Sequence, residues 1–164
     1  MRVTDRRKTL TSIWDLLLPD GNRQASIQAD ASGSSKNAFK LGSDLAYKIL
    51  KNGITSKAVN PVGEFVGLNK ALIANYVGLN RGTVSRLASK GQPLPTHSAE
   101  KLLRLLELDG QARENFSSEE EAFAWLNRSH PMLDGDTPRA AAKTSYGAQR
   151  VTDILLALQY GGVV

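Results

Sequence analysis

Cysteine is absent from the 164 residues, which excludes a disulfide framework, a thiolate zinc site and a catalytic thiol. That absence suits a reducing compartment, so a cytoplasmic location is expected. Histidine is almost missing too: His97 and His130 lie far apart in the sequence. No metal-ligand spacing accompanies them, and no phosphate-cradling glycine loop occurs. His97 sits near a helix start and His130 precedes a proline, so both are expected in loops. The chain is accordingly expected to be no enzyme and to need no cofactor or metal. Long apolar runs are lacking as well. The N-terminal patch Ile13 to Leu18 is short and broken by Asp15, so neither a secretion signal nor a membrane span is expected. No stretch alternates polar and apolar residues over a useful length, which predicts an all-α fold.

What the chain does contain is a helical alphabet and an uneven charge. With 41% hydrophobic and 23% charged residues, it can build one globular domain or two small ones. The net charge of +5 conceals an asymmetry: through Gly91 there are 14 Lys and Arg against 6 Asp and Glu, and from Gln92 onward 7 against 10. A basic half can face phosphates, because neutralising them releases counterions; it can equally be a solvated surface.

Residues 1–38 form an N-terminal arm whose fold the pattern does not specify, with "RRK" at 6–8, the apolar patch Ile13-Trp14-Leu16-Leu17-Leu18 and the loop-like "ASGSSKN". From Phe39 the spacing of Leu41, Leu45, Ile49 and Leu50 predicts a core helix ended by Asn52-Gly53. Asn60-Pro61 offers an N-cap and a proline for a short helix over 61–66, stopped by Gly67. In "AEKLLRLLELD" leucines cover nearly the whole helix circumference, which predicts burial on several sides, between the two halves. Ser117-Ser118 before Glu119-Glu120-Glu121 is a helix start, and the glutamates fit the positive end of its dipole better than an acid/base site. Ala122, Trp125 and Leu126 supply its apolar stripe. "HPMLDGD" is expected as a loop, Thr137-Pro138 as the start of a helix to about Tyr146 capped by Gly147, and Ala148 to Tyr160 as the last helix, closed by Gly161-Gly162.

The stretch "LIANYVGLNRGTVSRL" at 72–87 carries the strongest pattern. A DNA-reading helix-turn-helix needs a small residue where the helices cross, a glycine where the turn takes positive φ, and apolar residues at fixed offsets. Ala74, Gly78 and Val84 have those separations, while Ile73, Val77, Leu79 and Leu87 fill the other buried positions. An αα-hairpin of core helices is the competing reading. If the motif holds, Arg81, Thr83, Ser85, Arg86 and Lys90 face the groove or its flanks, Asn80 caps the second helix, and Gly82 allows close approach. Lys70 stands where such motifs often carry glutamine, which puts one phosphate or base contact in doubt. Arginine can bridge guanine O6 and N7, and each such pair supplies about 1–3 kcal/mol of discrimination; as surface residues, Arg81 and Arg86 would simply be solvated. One such helix buries little surface, so a homodimer on a two-fold operator is expected.

The run from Glu120 to Gly162 resembles the toxin-binding domain of Xre/MbcA/ParS-type antitoxins. It has Trp125-Leu126 near a helix end, Leu133 through Gly135 to Pro138, Thr144 through Gly147, and Tyr160-Gly161. With the upstream helix-turn-helix the likeness covers roughly residues 40–164 and leaves the arm unexplained. The resemblance implies a type II antitoxin of the Xre-RES kind, which binds a RES-domain toxin that depletes NAD and represses its own operon. It also implies that the C-terminal end lies near the toxin's active-site entrance. The residues add a hint of their own. Val151, Ile154, Leu155 and Leu158 form one core stripe on the last helix, while Leu156 and Tyr160 project from the other side, either for a partner or for packing on a neighbouring helix. The candidate toxin contacts are therefore Trp125, Leu156, Tyr160, Gly161, Gly162, Val163 and Val164. The expected division is an arm over 1–38, a DNA-binding and dimerisation domain over 39–110 and a toxin-binding domain over 111–164. Two alternatives remain at this point: a helix-turn-helix repressor with a C-terminal dimerisation or effector domain, and a partner-binding adaptor that no longer binds DNA.

Overall fold

The computed structural model describes residues 3–18 and 41–161, with side chains in the first helix described from Lys8 onward. The expected loop "ASGSSKN", the helix start at Phe39 and the tail residues Gly162, Val163 and Val164 lie outside the described residues. Nine α-helices are present among the described residues: α1 Val3–Leu17, α2 Ser43–Asn52, α3 Val59–Phe65, α4 Lys70–Tyr76, α5 Arg81–Ser89, α6 Thr96–Asn115, α7 Glu119–Asn127, α8 Pro138–Ala141 and α9 Ser145–Gln159. Short 3-10 turns occupy Ser56–Ala58 and Pro131–Leu133. No strand occurs among these residues, only an isolated bridge between Thr55 and Pro93. The fold is all-α. It divides into two compact units at the Leu103–Arg104 junction, partway along α6.

In the first unit the arm contributes a helix that contiguous reading misses. Leu10, Ile13, Trp14 and Leu17 share one face at helical spacing and are buried, while Asp15 falls on the exposed side. Asp15 therefore interrupts a run of letters but not the stripe. This face packs on α3 and the Ser56–Ala58 turn. Helix α3 begins two residues earlier than the Asn60-Pro61 pair suggests, so Asn60 is no N-cap; the Thr55 side chain instead accepts from the Lys57 N–H at 3.4 Å. Pro61 is still tolerated, because the first four N–H groups of a helix have no intrahelical acceptor. Helix α2 does end at Gly53, which takes a positive φ of 83°.

A polar clasp, invisible in the sequence, holds the segment before α3 to the segment after α5. The buried Ser56 donates from Oγ to the Gln92 carbonyl at 2.6 Å, its N–H donates to the same oxygen at 3.2 Å, and Leu94 N–H donates to Ile54 O at 2.8 Å. The helices α3, α4 and α5 are thus bracketed at both ends of their run. Leu102 and Leu103 of α6 are buried, as are Leu105, Leu106 and Leu108 beyond the junction. His97 lies within the first turn of α6 rather than in a loop.

The second unit has its own core of Leu108, Ala112, Ala122, Leu126, Leu133, Ala142, Val151, Ile154 and Leu155. Arg113 and Asp109, one turn apart on α6 and nearly buried, meet at 2.7 Å, and Arg113 Nη1 stands 3.3 Å from Glu119 Oε1 at the start of α7. Removing either member of such a buried pair strands the other charge. Ser118 caps α7, accepting from Glu121 N–H at 3.1 Å, while the Glu121 carboxylate accepts from Ser117 N–H at 3.1 Å. The three glutamates therefore include one that caps the helix.

Two expectations change at α8 and α9. The helix at Pro138 stops after four residues at Ala141, and Gly147 is not its cap but the third residue of α9. Thr144 starts that helix, its Oγ1 accepting from Gly147 N–H at 3.0 Å. A Cβ on Gly147 would overlap the Ala141 carbonyl, so glycine is needed for close approach and not for a positive φ. Starting at Ser145 adds nearly a turn to the last helix. The loop "HPMLDGD" is ordered around the Pro131–Leu133 turn, with Asp134 left-handed at φ 57°.

Candidate DNA-reading helix and partner-binding face

Helices α4 and α5 are joined through Val77-Gly78-Leu79-Asn80, and the residues chosen by spacing set the crossing. Ala74 and Val84 are buried together with Ile73 and Val77, and Gly78 takes a φ of 81° that other residues rarely adopt. Leu79 and Leu87 are only half-buried, so two of the expected lock positions are partly open. The turn is tied by Leu79 N–H donating to Ala74 O at 2.9 Å. Asn80 caps α5 as expected, its Oδ1 accepting from Thr83 N–H at 2.7 Å. Asn69, which the spacing argument did not single out, caps α4 through Ala71 and Leu72 N–H, both at 3.0 Å. An asparagine three residues before an apolar pair was the available signal.

The outer face of α5 follows from this geometry. Arg81, Gly82, Ser85 and Arg86 are exposed, and Lys90 just beyond the helix is exposed too. Thr83 departs from the expectation: it is half-buried. Lys70 opens α4 and is exposed. Neither helix carries a carboxylate. The result is a positive, exposed surface with two guanidinium groups five residues apart, the chemistry that phosphate and guanine edges recognise.

In the second unit the candidate partner contacts separate into packing and exposed groups. Trp125 is half-buried, with its ring centroid 5.6 Å from that of Phe116 and 6.0 Å from that of His130, so much of its area serves the unit's own core. His130 is the N-cap of the following turn, Nδ1 accepting from Met132 N–H at 3.2 Å. On α9, Val151, Ile154 and Leu155 form the buried stripe, but Leu158 does not complete it and is 37% exposed. Leu156 is 45% and Tyr160 83% exposed. Gly161 follows in a left-handed conformation at φ 73°.

Sequence reasoning missed Tyr146, at 88% exposure the most open of the large apolar side chains among the described residues, and Met132 at 48%. The signal was present: Tyr146, Arg150, Asp153, Ala157 and Tyr160 recur at intervals of four and three, the spacing of one helix face. Placing the helix start at Ala148 left Tyr146 outside it. Arg139, only 6% exposed, donates to Asn127 Oδ1 at 3.0 Å and lies 5.4 Å from the Phe123 ring centroid, tying α8 to α7. Among the described residues no group of three His, Asp or Glu is gathered to hold a metal ion, and no helix is long and apolar enough to cross a membrane.

A helix-turn-helix with a basic outer face, followed by a separate helical unit with exposed aromatic side chains, defines a two-unit helix-turn-helix class of protein. Comparison with known families specifies it. Residues 46–107 match the antitoxin Xre-like helix-turn-helix domain, and residues 111–161 match the antitoxin Xre/MbcA/ParS C-terminal toxin-binding domain. The chain belongs to the Xre/MbcA/ParS-type antitoxins: it is an Xre-family antitoxin with a helix-turn-helix domain and a C-terminal toxin-binding domain. A similar protein is the Prs ADP-ribosylating antitoxin of Sphingobium sp. (strain YBL2), 25% identical over 153 residues that span 88% of this chain and 96% of the relative.

Proposed function

We propose that this antitoxin silences a RES-domain toxin that consumes NAD and represses its own operon by binding operator DNA as a homodimer in the cytoplasm. The observation that carries the first part is the face of α9: inside the toxin-binding domain, Leu156 and Tyr160 are held out from the core by a helix whose opposite side is buried. Burying side chains of this size contributes about 1.5–3 kcal/mol each, enough for a few of them to anchor a complex. Gly161 to Val164 follow Tyr160 in the sequence and are proposed to reach toward the toxin's active site, with Trp125 supporting the docking surface from α7.

The relative's name, Prs ADP-ribosylating antitoxin, belongs to the same chemistry. ADP-ribosyl transfer and NAD depletion both break the bond between nicotinamide and ribose, and differ in whether an acceptor side chain or water receives the ADP-ribosyl group. Free nicotinamide is therefore a shared readout. For the operator, Arg81 and Arg86 are proposed to contact bases, with Lys70, Asn80, Thr83, Ser85 and Lys90 at the phosphates and flanks. A dimer supplies the second half-site that a single short recognition helix lacks.

Purified toxin, NAD and the full chain test the inhibitory part. Tyr160→Ala combined with removal of Gly161 to Val164 should restore nicotinamide release that the unaltered chain suppresses, while binding to the promoter fragment without toxin persists. Complete inhibition by this variant would move the inhibitory contact to α7 or the loop from His130 to Thr137.

A further inference from the structure

Beside the exposed face of α9 lies a hollow of about 200 Å³, lined by Met132, Arg150, Asp153, Ile154 and Ala157. Its floor is apolar: Ile154 is buried and Ala157 offers only a methyl group. Its wall is preformed by the Pro131–Leu133 turn, in which His130 N–H donates to Asp136 O at 2.9 Å and Leu133 N–H to His130 O at 3.0 Å. Arg150 fastens this wall to the helix, donating to the Met132 carbonyl and, at 3.3 Å, to Asp134 Oδ2. Asp153 accepts from Gln149 Nε2 at 2.9 Å.

We propose that this hollow is the socket for one bulky, uncharged side chain of the toxin, with Ala157 as the residue that sets its depth. The proposal rests on the reading of the second unit as the toxin-docking unit and specifies where the partner's anchor inserts. Three observations select that occupant. All five lining residues fall inside the toxin-binding domain match, 111–161, and Tyr146, Leu156 and Tyr160 flank them on the same helix, so the hollow is continuous with the proposed face. The rim charges already bond to neighbouring groups, Arg150 to Asp134 and Asp153 to Gln149, and a charged group inserted onto the apolar floor of Ile154 and Ala157 would lose its hydration there, whereas an apolar one would not. The volume lies below the range of about 300–1,000 Å³ that holds small-molecule ligands, but suits a single aromatic or long aliphatic side chain. A preformed wall lowers the ordering cost of such an insertion, and anchors of this kind dominate interface energetics.

Filling the socket from within provides the test. In the full chain, Ala157→Phe should weaken binding of the purified RES-domain toxin by about 30-fold or more in calorimetric titration, whereas Ala157→Ser should bind like the unaltered protein. Circular dichroism and promoter affinity should be unchanged in both. Should Ala157→Phe fail to fold, Met132→Asp, which alters an exposed wall of the same hollow, should show the same loss. A double variant of Leu156→Asp and Tyr160→Glu separates the two levels of inference. If it loses toxin while Ala157→Phe binds normally, the socket is wrong and the docking face stands. If both bind normally, the reading of the face itself fails. A change in sedimentation mass on Ala157→Phe without a change in toxin affinity would mark the hollow as a contact between copies of this chain and overturn the proposal.

Discussion

Glu107 shows how a single side chain records the cost of burial. It lies on the well-buried α6, and desolvation raises its pKa above the ordinary value of 4.5, while the charge of Arg104 pulls it back only in part. The native carboxyl therefore holds its proton to higher pH than in the unfolded chain. Where the native state binds more protons, stability falls as pH rises, so the penalty is absent below 4.5 and complete above the raised native pKa. Glu107→Gln should accordingly raise the thermal midpoint at pH 7, and its advantage over the unaltered chain should shrink as the pH is lowered from the raised native pKa toward 4.5. Thermal unfolding followed at 222 nm over a pH series reads the difference directly; a gain that does not depend on pH would assign the effect to packing instead. The same scale contains Gly147, where the lack of a side chain, and not backbone freedom, lets the end of α8 and the start of α9 come together.

At the scale of elements, α5 divides its labour between an inner edge and an outer one. Val84 is buried on its inner side, while Arg81 and Arg86 stay exposed. Replacing both arginines with alanine should leave helical content and thermal midpoint within error, yet remove specific operator binding, since bidentate guanine contacts supply about 1–3 kcal/mol each. Asn80→Ala makes the contrasting variant: loss of its cap should cost about 1 kcal/mol of stability and weaken DNA binding through disorder at the start of α5. Fluorescence anisotropy on the promoter fragment at fixed salt, beside thermal unfolding, distinguishes the two. Retained specific affinity in the arginine variant would return α4 and α5 to the reading of a structural hairpin.

For the whole molecule, the uneven charge of the sequence becomes a difference between two exposed faces, the proposed DNA-reading one and the proposed toxin-docking one. The face of α4 and α5 is basic and carries no carboxylate, whereas the face of α9 is built from Tyr146, Ala157, Leu156 and Tyr160 with charges that are engaged locally. Operator affinity should therefore fall steeply with salt, the logarithmic slope growing by about 0.9 for each phosphate neutralised on duplex DNA. Toxin affinity should change far less over the same range, because apolar burial is not screened. Titrating the full chain against each ligand from low to moderate salt measures both slopes, and a toxin slope as steep as the DNA slope would show that charge, not the aromatic face, drives that contact.

Local rules were enough for much of this protein. The glycine in the helix-turn-helix turn, the Asn80, Ser118 and Thr137 caps and the buried Ile73, Ala74, Val77 and Val84 depend on residues within a few positions of each other, and such short-range chemistry is written in the sequence. The all-α class followed from the same periodicities. Other features depended on which distant surface each stripe meets. Asp15 could not be recognised as harmless until Leu10, Ile13, Trp14 and Leu17 were seen to share the face laid on α3. The Ser56–Gln92 clasp joins residues with no local relation. Leu158 has the spacing of a core residue, but nothing covers it enough to make it one. The hollow beside Ala157 forms where a turn from 18 residues earlier is held against α9 by the buried Leu133 and by Arg150 bonding to the Met132 carbonyl. Periodicity states which side chains share a helix face; only packing between elements decides whether that face is covered, hollow or left open for a partner.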